Sequence, residues 1–128
     1  MPAMWFARLV ASVVLCAALA GPAVAQSSVP PYEKDLLRLA EILGAVHYLR
    51  DLCEAGDGAR WRAMMEQLLE AENPSGDRRA SLIARFNRGY RGFEQSYHTC
   101  NETAVSIIER YMEEGADIAQ QIASRYGE

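Results

Sequence analysis

The sequence predicts an all-α fold: an antiparallel four-helix domain, bundle-like, with one disulfide, after a cleaved signal peptide. Three observations support it. Apolar residues recur at intervals of three and four after residue 31, no segment alternates apolar and polar residues as a half-buried strand does, and two cysteines remain once the leader is removed. Four helices joined by short turns favour the up-and-down arrangement.

The first 25 residues have the parts of a secretory signal peptide. Arg8 precedes an apolar run at residues 9–20, and residues 23–25 read Ala-Val-Ala, a small-x-small cleavage site before Gln26. The apolar run is shorter than the roughly 20 residues that span a bilayer, so we expect no stable membrane anchor. The mature chain is therefore expected outside the cytoplasm.

Removal of residues 1–25 discards Cys16 and leaves Cys53 and Cys100 as the only cysteines. In an oxidising compartment these two have one possible intramolecular pairing, so we predict a disulfide between them. The mature chain carries twelve basic and seventeen acidic residues, because Arg8 is the only charge removed. This acidic balance, together with the expected compartment, argues against a nucleic-acid-binding protein.

The helical domain is predicted to cover residues 32–127, after a flexible Ser/Pro-rich leader at residues 26–31. Its first helix should run for about six turns and end at residues 55–58, which read Ala-Gly-Asp-Gly. One face of this helix carries the residues with helical spacing: Leu36, Leu39, Ala40, Leu43, Val46, His47, Arg50 and Cys53.

Three further helices follow the same spacing. The second ends near Asn73-Pro74, because proline disfavours helical geometry in the residue before it, and Ser75 can cap the third. The third ends near Cys100, at the same pole as Cys53, and Asn101 can cap a fourth. The residues expected to pack in the core are Trp61, Met64, Met65, Leu68 and Leu69; then Leu82, Phe86, Gly89, Tyr90, Phe93 and Tyr97; then Ala104, Ile108, Tyr111, Gly115, Ile118 and Ile122.

The third helix carries a basic face opposite its aromatic residues, formed by Arg78, Arg85, Arg88 and Arg91. Arginine can bind two oxygens of a phosphate or carboxylate at once. The functional hypothesis is that Arg85, Arg88 and Arg91 bind an anionic envelope component or an acidic partner. The alternative is a solvated helix face whose arginines pair with neighbouring glutamates, for which the candidates are Glu66, Glu70 and Glu94.

His47 and Arg50 lie on the apolar face of the first helix, near the disulfide pole. An arginine that faces inward must find partners, and Asn87, Tyr97 or a helix-end carbonyl are the candidates. The functional hypothesis is a polar ligand-binding pocket in which His47 titrates near neutral pH. The alternative is a core histidine beside an arginine that reaches solvent at the end of the bundle.

No pattern of residues indicates an enzyme, a metal site or a cofactor. The mature chain has two histidines, His47 and His98, no H-x-x-x-H or C-x-x-C spacing, and no serine within an elbow motif. We therefore expect no catalytic residue, no bound metal and no cofactor.

Residues 36–53 read LLRLAEILGAVHYLRDLC and residues 86–93 read FNRGYRGF, with Trp61 between these segments and Cys100 after them. In this order and spacing the chain resembles a family of small exported alphaproteobacterial proteins of unknown function. The likeness spans nearly all of residues 32–127. It implies a periplasmic location in a Gram-negative cell and no assigned activity.

Three functions fit these observations. The first is a non-enzymatic periplasmic binding or adaptor protein in envelope maintenance, whose partner is an envelope protein or an anionic envelope component. The second is a small disulfide-bonded acid-stress chaperone that loosens at low pH. The third is a cell-wall hydrolase or its activator. Nothing in the sequence indicates the oligomeric state.

Overall fold

Four α-helices and no strand make up residues 29–127, which with Gly21 are the part of the chain that the computed structural model describes. The helices are α1 (Glu33–Leu52), α2 (Gly58–Glu72), α3 (Gly76–Glu94) and α4 (Glu102–Tyr126). The all-α class and the number of helices are therefore confirmed. Apart from Gly21, the predicted signal peptide lies outside the described residues, as does the first part of the leader. None of the four described helices has the length and hydropathy of a membrane span.

α1 is the central helix, and the other three helices each pack against it. α2 and α3 make only slight contact, while the α4 backbone approaches neither α2 nor α3 within 8 Å. Every residue from Ile42 to Val46 is buried, so the middle of α1 is covered on all sides. The bundle is therefore asymmetric, with three helices arranged around one.

α1 and α3 cross at Gly44 and Gly89, where their backbones are in direct contact. A Cβ atom at Gly44 would overlap the carbonyl oxygen of Phe86, and one at Gly89 would overlap the carbonyl oxygen of Glu41. Only glycine permits so close an approach. This crossing gives α1 and α3 the most extensive contact of any pair of helices among the described residues.

The first residues of α1 lie beside the ends of α2 and α4 and beside the start of α3. The Tyr32 hydroxyl donates a hydrogen bond to Glu72 (3.2 Å), and its ring lies 5.0 Å from that of Tyr126. Arg78 donates to Glu33 at 2.6 Å, and this bond raises the pKa of Arg78. One polar cluster thus joins all four helices at this pole.

The disulfide lies at the opposite pole, where the Sγ atoms of Cys53 and Cys100 are 2.05 Å apart, as predicted. Asn101 caps α4 by accepting a hydrogen bond from the Ala104 amide (2.8 Å), also as predicted. The predicted end of α3 near Cys100 is wrong, because the helix stops at Glu94. Residues 95–100 instead form the connection that brings Cys100 back to Cys53.

Candidate functional site

An apolar groove runs along α1 between α2 and α4, and we call it the α2–α4 groove. Leu36, Leu39, Ile42 and Leu43 of α1 form its floor. One wall comes from α2 and comprises Trp61, Met64, Gln67, Leu68, Ala71 and Glu72. The other comes from α4 and comprises Tyr111, Met112, Gly115, Ala116, Ala119, Ile122 and Ala123. The groove has a volume of about 580 Å³ and is open to solvent, because α2 and α4 stay apart.

Met64 and Met112 face solvent on the two walls, with 39% and 37% of their surface exposed. The prediction that Met64 packs in the core is therefore wrong, whereas Met65 and Leu69 on the same helix are buried. The physical reason is that α4 stays apart from α2 and does not cover this side of it. A concave apolar surface between helices is the usual shape of a ligand or partner site, so the groove is a candidate binding surface.

The α4 edge of the groove is acidic, whereas the α2 edge carries charges of both signs. Glu109 and Glu113 are exposed and lie three residues before Met112 and Ala116, so helical spacing places both carboxylates along the outer edge of the α4 wall. Glu70 lies three residues after Gln67 in the same way on α2, where the basic residue Arg60 lies four residues before Met64. Among the described residues none of these three glutamates has a cationic partner within 4.0 Å.

The gap between α3 and α4 differs, because charged side chains and the contact between the Phe93 and Tyr111 rings fill it. Arg38 of α1 donates two hydrogen bonds to Glu114 of α4, at 2.7 and 2.8 Å, and its guanidinium lies 5.1 Å from the Tyr111 ring centroid. The bonds from Arg38 hold the pKa of Glu114 below its ordinary value. On the α3 side Arg85 donates to Glu41 of α1 at 3.0 Å. Of the two gaps beside α4, only the one facing α2 is apolar.

Arg50 and His47 do not form one pocket with Asn87 and Tyr97. Arg50 donates two hydrogen bonds to Asp57 in the turn after α1, at 2.9 and 2.6 Å, and this pairing raises the pKa of Arg50. The expected partners of Arg50 were therefore wrong. Asn87 is exposed, and Tyr97 uses its backbone carbonyl to accept a hydrogen bond from the Tyr48 hydroxyl.

The His47 ring lies beside Phe86 and Tyr90, with ring centroids at 6.0 and 5.3 Å. Its Nδ1 atom lies 2.6 Å from the carbonyl oxygen of Gly58, at the first turn of α2. His47 and Arg50 thus both hold the α1–α2 connection against α1, which is a structural role. That a ligand binds here stays a prediction.

The basic face of α3 is smaller than its four arginines suggest. Arg78 is bonded to Glu33 and Arg85 to Glu41, both on α1. These partners differ from the expected Glu66, Glu70 and Glu94, because α3 lies along α1 and its arginines reach across to it. Arg88 and Arg91 are exposed on the described surface and form no ion pair within it. Anion binding by this face stays a prediction, now centred on those two residues.

The groove is the feature that sequence reasoning missed, although α4 carried a signal for it. Besides its core residues α4 has a second apolar row at helical spacing: Met112, Ala116, Ala119 and Ala123. A second row on one helix calls for a second partner, and no helix of the described chain supplies one. As for metals, the described side chains include no group of three or more His, Cys, Asp or Glu placed to hold an ion.

Comparison with known proteins gives one match. The family model described as "Protein of unknown function (DUF2385)" matches residues 31–126, which include all four helices and both bonded cysteines. No curated protein and no solved structure matches the chain.

Proposed function

The chain belongs to the family described as "Protein of unknown function (DUF2385)", and we propose that it is a non-enzymatic binding or adaptor protein that holds its partner in the α2–α4 groove. The observation that carries this proposal is the open apolar surface between two helices that stay apart. Binding sites are concave, mostly apolar and few per protein, and this groove has those properties.

The proposal includes export. A signal peptide at residues 1–25 would deliver the protein to the periplasm, where the partner would be an envelope protein and the role envelope maintenance. The antiparallel order of the helices belongs to the same proposal, because it places both apolar walls along the length of α1. Mass spectrometry of the protein recovered from the periplasmic fraction should give a chain that begins at Gln26.

A neutral apolar dye tests the proposed groove directly. Phenylnaphthylamine fluoresces more strongly in apolar surroundings, so the purified protein should raise its emission in a saturable manner. Met64→Glu and Met112→Glu place a charge on either wall and should weaken dye binding by about tenfold or more, since burying an unpaired carboxylate is costly. Circular dichroism checks that each variant keeps its helices.

Ile83→Glu is the matched control for this test. Ile83 is 38% exposed, close to the exposure of Met64 and Met112. It lies on α3, away from the groove. The control should bind the dye like the wild type. Equal loss in all three variants, or no saturable binding by the wild type, would contradict the proposal.

A second candidate is the acid-stress chaperone, and the attachment of α4 favours it. α4 packs mainly on α1, touches α3 through the Tyr111 and Phe93 rings, and is joined to α1 by the Arg38–Glu114 pair. Because Arg38 lowers the pKa of Glu114, the pair is lost only in acid, where α4 would be freer to move and the groove wider. Light scattering by aggregating client proteins at acidic pH tests this candidate: suppression should appear only in acid, and at a higher pH in Glu114→Gln.

A further inference from the structure

The charge around the α2–α4 groove narrows the class of partner. We infer that the occupant is a basic amphipathic helix of another protein, with its apolar face against the α2 and α4 walls and its basic side chains beside the acidic α4 edge. This inference rests on the proposed function, since it names the partner of the same groove. Recognition of an amphipathic helix in an apolar groove is a recurring mode of peptide binding.

A helix is favoured over an extended peptide because of backbone hydrogen bonding. The floor and walls are apolar side chains of three helices, with no strand edge among the described residues to pair with a peptide backbone. An extended segment would bury unpaired N–H and C=O groups there, and each buried unpaired group carries a free-energy cost. A helix satisfies these groups internally.

The dimensions also suit a helix. The α2 wall runs from Trp61 to Ala71 and is about 15 Å long at the helical rise per residue. A segment of about three turns would cover that length. Placed between α2 and α4, it would pack against the exposed side chains of both walls and would cover the second apolar row of α4.

Charge selects a basic helix over other occupants. The unbalanced carboxylates at the groove are Glu109 and Glu113 on the α4 edge, because Glu70 and Arg60 on the α2 edge have opposite charges. These carboxylates would repel an anionic lipid head group and would attract lysine or arginine beside the groove. They also disfavour a second copy of this chain, whose α4 row has the same acidic neighbours and whose mature charge is negative.

Two labelled peptides test the inference. Each is an amidated helix of about four turns, with leucine at positions spaced three and four apart, and the remaining positions are lysine in one peptide and glutamate in the other. Fluorescence anisotropy at low salt should show that the protein binds the lysine peptide at least about tenfold more tightly, and that added salt reduces the difference. The double variant Glu109→Lys/Glu113→Lys should reduce or reverse that preference.

Met112→Glu should abolish binding of the lysine peptide, whereas Ile83→Glu on α3 should leave it unchanged. Equal affinity for both peptides would overturn the inference, and so would binding of the lysine peptide that survives Met112→Glu. A lipid occupant would be indicated if dodecanoate displaced the dye and neither peptide bound. A second copy of this chain would be indicated if sedimentation showed a dimer that does not bind the dye. Either result would also overturn the inference. If the dye binds and the lysine peptide does not, the proposed groove survives and only its basic-helix partner fails; if neither binds, both proposals fail.

Discussion

Gly44 and Gly89 decide how closely α1 and α3 can pack. A Cβ atom added at either position would overlap a backbone carbonyl of the other helix. A backbone carbonyl cannot rotate away as a flexible side chain can. Elsewhere in a helix glycine lowers the stability of the fold, since it loses more conformational freedom on folding than alanine does. Gly44 and Gly89 are therefore explained by the close packing of the two helices. The sequence does not reveal this until the two helices are placed side by side.

We predict that Gly44→Ala or Gly89→Ala lowers the free energy of unfolding by about 3 kcal/mol or more, because the helices must separate to admit the methyl group. Gly92→Ala is the control on the same helix, since a Cβ there meets nothing within 4 Å. That change should raise stability by about 0.5–1 kcal/mol. Urea unfolding followed by circular dichroism measures all three, and similar effects at Gly89 and Gly92 would refute the close crossing.

Glu114 should contribute to stability in a pH-dependent way. Its pKa lies below the ordinary value of 4.5 in the folded protein because it accepts hydrogen bonds from Arg38. A group with a lowered folded pKa stabilises the protein above its unfolded pKa, and that contribution is lost as the pH falls through the folded pKa. Both side chains are partly exposed, at 34% and 41%, so solvent screens the pair.

Glu114→Gln should therefore lower the free energy of unfolding at pH 7 by at most about 1 kcal/mol. The difference from wild type should shrink as the pH falls below 4.5. Urea titrations across this pH range measure it. Glu113→Gln is the control, since Glu113 has no cationic partner within 4.0 Å among the described residues, and a difference that persists unchanged into strong acid would contradict the assignment.

The His47 and Arg50 region shows what residue patterns can and cannot predict. Helical spacing correctly placed both residues on a partly buried face of α1. The partner of Arg50 is Asp57, seven residues later, which the sequence analysis had assigned to a helix-ending turn. A turn folds back on the helix it follows, so its side chains reach the last turns of that helix. The spacing of apolar residues along a helix does not indicate which of its residues the following turn will contact.

The connection between α3 and α4 holds the disulfide pole together. α3 ends six residues before Cys100, in a segment with neither glycine nor proline, so the sequence gives no visible stop signal. The segment leaves the helix where the Tyr97 carbonyl accepts a hydrogen bond from Tyr48 of α1. This tertiary bond replaces a helical one. The ends of α1 and α2 and the start of α4, by contrast, lie close to where glycine, proline and asparagine predicted them.

The disulfide closes a loop with a sequence separation of 47 residues that contains α2 and α3. Replacing both cysteines by alanine should lower the free energy of unfolding by roughly 4 kcal/mol, because the unfolded chain regains the entropy of the open loop. Thermal unfolding measures the loss as a lower melting temperature. Alkylation of the native protein should find no free thiol at Cys53 or Cys100, and two reactive thiols would contradict the pairing.

The shape of the whole molecule follows from the burial of α1. The sequence analysis assigned one apolar face to this helix, but Ile42, Ala45 and Leu49 are buried outside that face. The run Ile-Leu-Gly-Ala-Val at residues 42–46 is apolar on every side, a property of a helix surrounded by others. With three helices around one, a gap remains between α2 and α4. The fold class was therefore predictable from local pattern, whereas the groove required the arrangement of the helices.

Photo-crosslinking in living cells tests most directly whether the α2–α4 groove is where this protein binds its partner. A photoreactive amino acid is placed at Met64 or Met112 in the groove, or at Ile83 on α3, three positions of nearly equal exposure. We predict the same crosslinked partner from both groove positions and none from Ile83. Crosslinks of equal yield at all three positions, or a partner found only at Ile83, would contradict it.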